Sequence, residues 1–259
     1  MASIRTEWDL RQRSKEGVPI LMFHKIAQCS RPTIVPELYV SPRRLHQILV
    51  CIRYLALQSI SVGEALDPGC RDNDSLVITF DDGYENVLLN AAQDLRWLGF
   101  RATQFLVADR LGRCNDWDIG VDATNDRLMD KEQIRDWLSL GFEIGAHTRT
   151  HAHLTQISPA RAKEEISGSK ARLEDLFGME VKYFAYPYGE YNDTVVELTK
   201  AAGFKAACTC EPTSVISLTD PFRLGRFLVH ERSIRSIWTY NAAFLYADLK
   251  ALTGWGKRN

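Results

Sequence analysis

The chain predicts an α/β protein whose parallel sheet curls into a closed or nearly closed barrel. Three observations carry that expectation. Strand-like and helix-like segments alternate about seven times. The connections between them are mostly short. The strand-like segments are continuous apolar runs, the pattern of strands buried on both faces. About seven such units favour a barrel over an open sheet. The 259 residues fit one large domain or two small ones, and no linker, internal repeat or low-complexity tract divides them.

Val18 to Phe23 is apolar and reads as the first strand. Ser41-Pro42 opens a helix, with a capping hydroxyl and then proline in the first turn, and the helix runs to about Leu57. Leu76 to Phe80 is a strand, and Glu85 to Leu98 a helix closed by Gly99. Ala102 to Val107 is the next strand. Gly112 to Arg127, rich in Asn, Asp and Gly, is the longest expected irregular loop, and such loops at strand ends often line substrate sites. Asp130 to Leu140 is a helix stopped by Gly141, followed by a strand from Phe142 to Ala146. Ser158-Pro159 opens a capped helix ending at Gly178. Val181 to Ala185, Asn192 to Ala202 and Phe204 to Cys208 continue as strand, helix, strand. Arg226 to Val229 is a last strand, and Ser233 to about Leu252 a last helix.

Bulk properties exclude some functions. The chain is 45% hydrophobic and 25% charged with a net charge of −1, and it has no Lys/Arg-rich stripe, so nucleic acid is not an expected partner. Residues Met1 to Gly17 form a polar, charged extension without the apolar core of a signal peptide. No run approaches the length of a membrane span. A cytoplasmic protein is expected, provided the natural chain starts here. The six cysteines lack zinc-ribbon spacing, and Cys208 and Cys210 read as two thiols on one strand face. Trp97, Trp137 and Trp238 fall in helix-like segments and are expected in the core. The Glu132-to-Arg135 and Arg161-to-Glu165 charges read as solvated helix faces.

The chemistry centres on Thr79-Phe80-Asp81-Asp82-Gly83-Tyr84. Two adjacent carboxylates sit where a buried parallel strand ends, the place where α/β folds keep their chemistry. They repel each other, and a metal ion relieves this if one carboxylate binds it and the other stays free as a base. His147-Thr148-Arg149-Thr150-His151-Ala152-His153 follows another strand and holds half of the six histidines. His147 and His151, four apart, reach one side through a helical turn or a tight loop. Imidazole plus carboxylate suits zinc or another late divalent ion, and two histidines with one aspartate leave a position open for water. A lone H-x-x-x-H is a weak signal that also fits a solvated loop; the acidic pair at a neighbouring strand end strengthens it. His153 reads as a surface residue or one that supports a ligand.

These residues resemble the polysaccharide deacetylases, metal-dependent sugar N- and O-deacetylases. Thr79 to Tyr84 is similar to that family's first motif, His147 to His151 to its second, and Phe184-Ala185-Tyr186-Pro187-Tyr188-Gly189 to its third. The likeness runs from about Pro19 to Val229 and is nearest the subgroup acting on poly-β-1,6-N-acetylglucosamine. It implies a distorted, incomplete (β/α)7 TIM-like barrel as a single catalytic domain over residues 18–259. It implies Asp81 as general base, Asp82, His147 and His151 as metal ligands, and the Tyr188 backbone N–H as oxyanion donor. Zinc is the expected ion, with cobalt, nickel or manganese as substitutes. The family's arginine that pairs with the base is missing, since its position is Ala185; Arg223 or Arg226 could supply the charge. The expected acid is His24, after the first strand, which resembles the N-terminal histidine of that subgroup, in preference to His230, which fits a short Leu-x-His pattern. Trp117 and Tyr191 are candidate sugar-stacking rings. The implied reaction removes acetyl groups from an N-acetylhexosamine-containing saccharide, and a cytoplasmic enzyme would take a biosynthetic intermediate of exopolysaccharide. A hydrolase opening a cyclic amide or imide at the same site is the second expectation. An inactive carbohydrate-binding homologue is the third, and it needs a broken site.

Overall fold

The computed structural model describes residues 10, 17–29, 33, 35–70, 74–118, 125–212 and 220–233. The strands are β1 (Ile20–Phe23), β2 (Lys25–Ile26), β3 (Tyr39–Val40), β4 (Gln58–Ile60), β5 (Ser75–Phe80), β6 (Thr103–Leu106), β7 (Glu143–Ala146), β8 (Tyr183–Ala185), β9 (Ala206–Cys208) and β10 (Phe227–Leu228). Eight form one parallel sheet with the path β10-β1-β5-β6-β7-β8-β9, and β4 pairs with the first half of β5. β2 and β3 make a separate parallel pair. The two ends of the path approach each other: Thr209 N–H donates to Leu224 O, and Arg226 N–H to Glu211 O. The sheet is therefore a curled, incomplete barrel, as the alternation predicts.

The helices are α1 (Pro42–Tyr54), α2 (Val62–Leu66), α3 (Glu85–Leu98), α4 (Lys131–Ser139), α5 (Pro159–Phe177) and α6 (Asp193–Ala201). Their ends follow the capping chemistry of the sequence. Ser41 and Ser158 accept from Arg44 N–H and Arg161 N–H, each with proline next in line. Gly99 and Gly178 close α3 and α5 at φ 73° and 65°, where a Cβ would be strained. The sequence reading misses β4 and α2, and its first helix overruns by about one turn. The predicted helix from Ser233 to Leu252 and Trp238 lie outside the described residues, as does most of the 1–17 extension. Trp137 is buried as expected, but Trp97 is half-buried.

Strand alternation sorts the side chains into two layers. Leu21, Phe23, Leu76, Ile78, Phe80 and Phe184 pack outward into the large core under the helices. Ile20, Val77, Phe105, Tyr183, Ala185, Ala206, Cys208 and Leu224 form a smaller cluster in the barrel lumen. The same period continues past the apolar layer. Val77 leads to Thr79 and Asp81, Ile20 to His24, Gly145 to His147, and Leu224 to Arg226. Four functional candidates thus reach the C-terminal mouth because each sits an even number of residues from a lumen position. The lumen is tight: a Cβ on Gly145 would lie 2.5 Å from the Phe105 ring.

Candidate active site

Asp81 and Asp82 leave β5 with different partners. Asp81 is 2% exposed and receives a paired hydrogen bond from Arg226, Nη1 to Oδ1 and Nη2 to Oδ2, both at 2.7 Å. Arg226 is fully buried. Its Nε donates to Thr209 O at 2.9 Å, its Nη1 also reaches Thr79 Oγ1 at 3.2 Å, and its guanidinium lies 5.5 Å from the Phe105 ring centroid. Burial pushes the Asp81 carboxyl up, but the charge of Arg226 and its hydrogen bonds, with His147, outweigh it and hold Asp81 below its ordinary value. Arg226, just before β10, therefore places beside Asp81 the charge that Ala185 cannot. Arg223, the other candidate, is exposed and pairs with Asp220 and Asp193.

Asp82 turns the other way, at φ 71°. Its Oδ1 lies 3.4 Å from His147 Nε2 and 3.2 Å from His151 Nε2. All three residues are buried, and the three ligand atoms lie within 4.8 Å of one another. Bonds of about 2.0–2.1 Å in a tetrahedron put ligand atoms roughly 3.3 Å apart, so the 3.4 and 3.2 Å separations from Asp82 suit a small divalent ion. The tautomer points the same way. His147 Nδ1 is 2.8 Å from Ala185 O, an acceptor, so Nδ1 carries a proton and Nε2 is the atom left to face Asp82. Although burial lowers it, the hydrogen bond to Asp82 and the charges of Asp81 and Asp82 hold the ion-free His147 above its ordinary pKa, so the gap between Nε2 and the carboxylate is one that a cation, proton or metal ion, would fill. The donor set fits a divalent ion.

Backbone strain gathers here. Of the six non-glycine residues with positive φ among those described, Asp82, Thr148, His151 and Tyr188 belong to this mouth. Each costs roughly 1–3 kcal/mol, which the surrounding contacts must offset. One such contact runs against the sequence expectation. Glu165 does not lie on a solvated face: it is 1% exposed and its carboxylate accepts from the backbone of the His147–His151 loop. The Glu132–Arg135 pair is exposed, as expected.

The His151 ring lies between two aromatic walls. Trp117 stacks on it at 4.6 Å and 24°, and Tyr188 meets it edge-on at 4.6 Å and 70°. Trp117 is carried by the long loop, which Lys25 anchors: its buried ammonium sits 3.0 Å from Asp126 and over the Tyr39 and Tyr84 rings. Tyr188 is 42% exposed and stacks on His153, whose Nδ1 meets Glu190 at 3.1 Å. Tyr191 packs on Tyr186, and its hydroxyl donates to Glu211.

The two acid candidates separate clearly. His24 Nε2 is 4.0 Å from Asp81 Oδ2, and burial, against the pull of Asp81 and Asp82, lowers its pKa. His230 lines a different groove with Glu37, Tyr39 and Arg232, and its Nδ1 accepts from Arg232 N–H. Cys208 is buried, its thiol pushed up to about 12 by burial, and Cys210 is half-buried against Gly189.

Similarity to known proteins agrees with this geometry. The polysaccharide deacetylase family matches residues 69–207. YxkH of Bacillus subtilis (strain 168) is 25% identical over 199 residues, 75% of this chain and 65% of that protein. The poly-β-1,6-N-acetyl-D-glucosamine N-deacetylase of Staphylococcus aureus (strain MSSA476) is 25% identical over 166 residues, 61% of this chain and 55% of that protein. The chain thus spans less than two thirds of the length of these curated relatives. The structure of IcaB from Ammonifex degensii superposes with a TM-score of 0.71 at 25% identity, covering 88% of this chain and 97% of that one. With the matched segment spanning more than half of its length, the chain belongs to the polysaccharide deacetylase family.

Proposed function

We propose that the protein is a metal-dependent hydrolase that removes acetyl groups from an N-acetylhexosamine-containing saccharide, chiefly as an N-deacetylase. One observation carries the reading: Asp82, His147 and His151 converge as a metal-ligating triad beside a second carboxylate, Asp81, that is buried and already paired. The S. aureus relative named for poly-β-1,6-N-acetyl-D-glucosamine supports a β-linked N-acetylglucosamine oligomer as the substrate class.

A divalent ion, zinc first, would polarise a water molecule and the acetyl carbonyl and stabilise the developing oxyanion. Asp81 takes the water's proton. Arg226 keeps both Asp81 oxygens oriented and the carboxylate ionised until that transfer. The backbone N–H of Tyr188 adds a donor to the oxyanion, which its positive φ helps to aim. His24, 4.0 Å from Asp81 and held toward its neutral form by burial, would pass to the leaving amine the proton that Asp81 takes from the water. Trp117 and the exposed Tyr188 ring form apolar walls against which a pyranose face can pack.

Acetate release from β-1,6-linked N-acetylglucosamine oligomers, measured with and without zinc and after chelation, tests the reading. Zinc-dependent release is expected. Metal binding without acetate release from any N-acetylated sugar would point to another amide, such as a cyclic one. Neither binding nor turnover would point to an inactive homologue.

A further inference from the structure

We propose that Glu165 is a positioning residue for the metal ligands: from α5 its carboxylate holds the loop that carries His147 and His151. The role rests on the reading of Asp82, His147 and His151 as a metal site. The loop has two residues in the left-handed region, Thr148 and His151, both at φ 63°. Left to itself such a segment prefers other conformations. Glu165 meets it at the two residues between. The N–H groups of Arg149 and Thr150 donate to Oε2 at 3.0 and 2.9 Å. The Thr150 hydroxyl donates to Oε1 at 2.9 Å, and Arg161 Nη2 reaches the same oxygen at 3.1 Å. Successive backbone N–H groups converging on one oxygen form an anion nest, here filled by the protein's own carboxylate. Inside the loop, His151 N–H donates to Thr148 Oγ1 at 2.9 Å, which closes the turn.

A second feature of α5 serves the same loop. Gly168 lies one turn beyond Glu165, and a Cβ there would stand 2.7 Å from Arg149 Cδ. The missing side chain lets Arg149 cross the helix and pair with Asp109 and Glu164. Glu165 and Gly168 together make a seat for Arg149 and Thr150, and the seat sets how far apart and at what angle the two imidazoles are held. Glu165 touches neither imidazole, so its effect passes through the backbone.

Glu165→Gln tests this. The amide keeps the size but has one acceptor oxygen where the carboxylate has two. The zinc Kd, measured by chelator competition, is expected to weaken about 10- to 100-fold, the usual effect of losing a group that orients a ligand. The absorption spectrum of the cobalt-loaded protein is expected to change shape, which a merely structural role would not produce. Glu132→Gln, in the exposed pair with Arg135 on α4, should leave both readouts at wild type. If Glu165→Gln does not fold, Gly168→Ala replaces it and should weaken zinc several-fold by displacing Arg149. A folded Glu165→Gln protein with wild-type zinc affinity and cobalt spectrum overturns the role alone. A wild-type chain that binds no zinc overturns the site reading, and the role with it.

Discussion

The lumen has a carboxylate at each mouth, Asp81 buried and Glu143 half-buried, and their pKa values are shifted in opposite directions. At the C-terminal mouth, Asp81 is held below its ordinary value because Arg226 outweighs the cost of burial. At the N-terminal mouth, Glu143 accepts from the Thr103 hydroxyl, and burial, with the charge of Glu64, raises it to about 7. A Cβ on Gly63 would sit 2.5 Å from Tyr183 Oη and 3.2 Å from Glu143 Oε1, so this end is closely packed. β7 itself bridges the two worlds, with Glu143 at its start and His147 just past its end. Burial alone does not make a reactive carboxylate; the partner decides. Asp81 is kept charged and ready to accept a proton, while Glu143 is a group that the fold would rather keep neutral.

Removing the proposed proton donor from the C-terminal mouth should have the largest effect. His24→Ala is expected to lower turnover about 10²- to 10⁴-fold with zinc affinity unchanged, and His230→Ala to leave both near wild type. Equal losses in the two variants, read as kcat and zinc Kd, would undo the assignment of His24 to this mouth.

Next comes the partner itself. Arg226→Met leaves Asp81 buried and unpaired, and stability should fall by about 3–5 kcal/mol. Denaturant titration of Arg226→Met with Asp81→Asn added is expected to recover part of that loss. No recovery would show that Arg226 stabilises through its Thr209 and Thr79 contacts rather than through the carboxylate.

The opposite mouth should respond with the opposite sign. The folded pKa of Glu143 lies above its unfolded value of 4.5, so the folded state binds the proton more tightly. Its stabilising contribution is fully present below pH 4.5 and is lost as pH rises to about 7. The shift corresponds to an effect on the order of 3 kcal/mol. Glu143→Gln should therefore gain Tm over the wild type at pH 8 and lose that advantage at pH 4. A Tm difference independent of pH would contradict the raised pKa.

The smallest expected effect belongs to the wall of the site. Trp117→Ala removes one face of the His151 stack, worth about 0.5–1.5 kcal/mol, and should raise KM several-fold with little change in kcat. A fall in kcat with KM constant would place Trp117 in the support of His151 rather than in substrate binding.

Much of this was legible in the residues. Apolar runs marked β1, β5, β6 and β7, and counting by twos from their lumen residues reaches His24, Asp81 and His147. β4 escaped because Gln58-Ser59-Ile60 is short and mostly polar, and its pairing with β5 is a tertiary fact. The choice between Arg226 and Arg223 depended on the register of β10 against β1, Leu21 with Phe227 and Met22 with Leu228, which no local pattern states. Glu165 was hidden by its charged neighbours Arg161 and Glu164. A signal did exist: Ala162, Ile166, Ser169 and Leu173 are the buried stripe of α5, and Glu165 lies on it. A carboxylate on an apolar stripe needs partners, and here they are the backbone of the histidine loop.

The central claim is a division of labour between adjacent carboxylates, Asp82 for the ion and Asp81 for the proton. Zinc content and acetate release, measured together on Asp81→Asn and Asp82→Asn, test it most directly. The account predicts that Asp81→Asn keeps its zinc and loses turnover by about 10³-fold, while Asp82→Asn loses the zinc and the turnover together. An Asp81→Asn protein that cannot hold zinc, or an Asp82→Asn protein that holds it and turns over, would contradict the account.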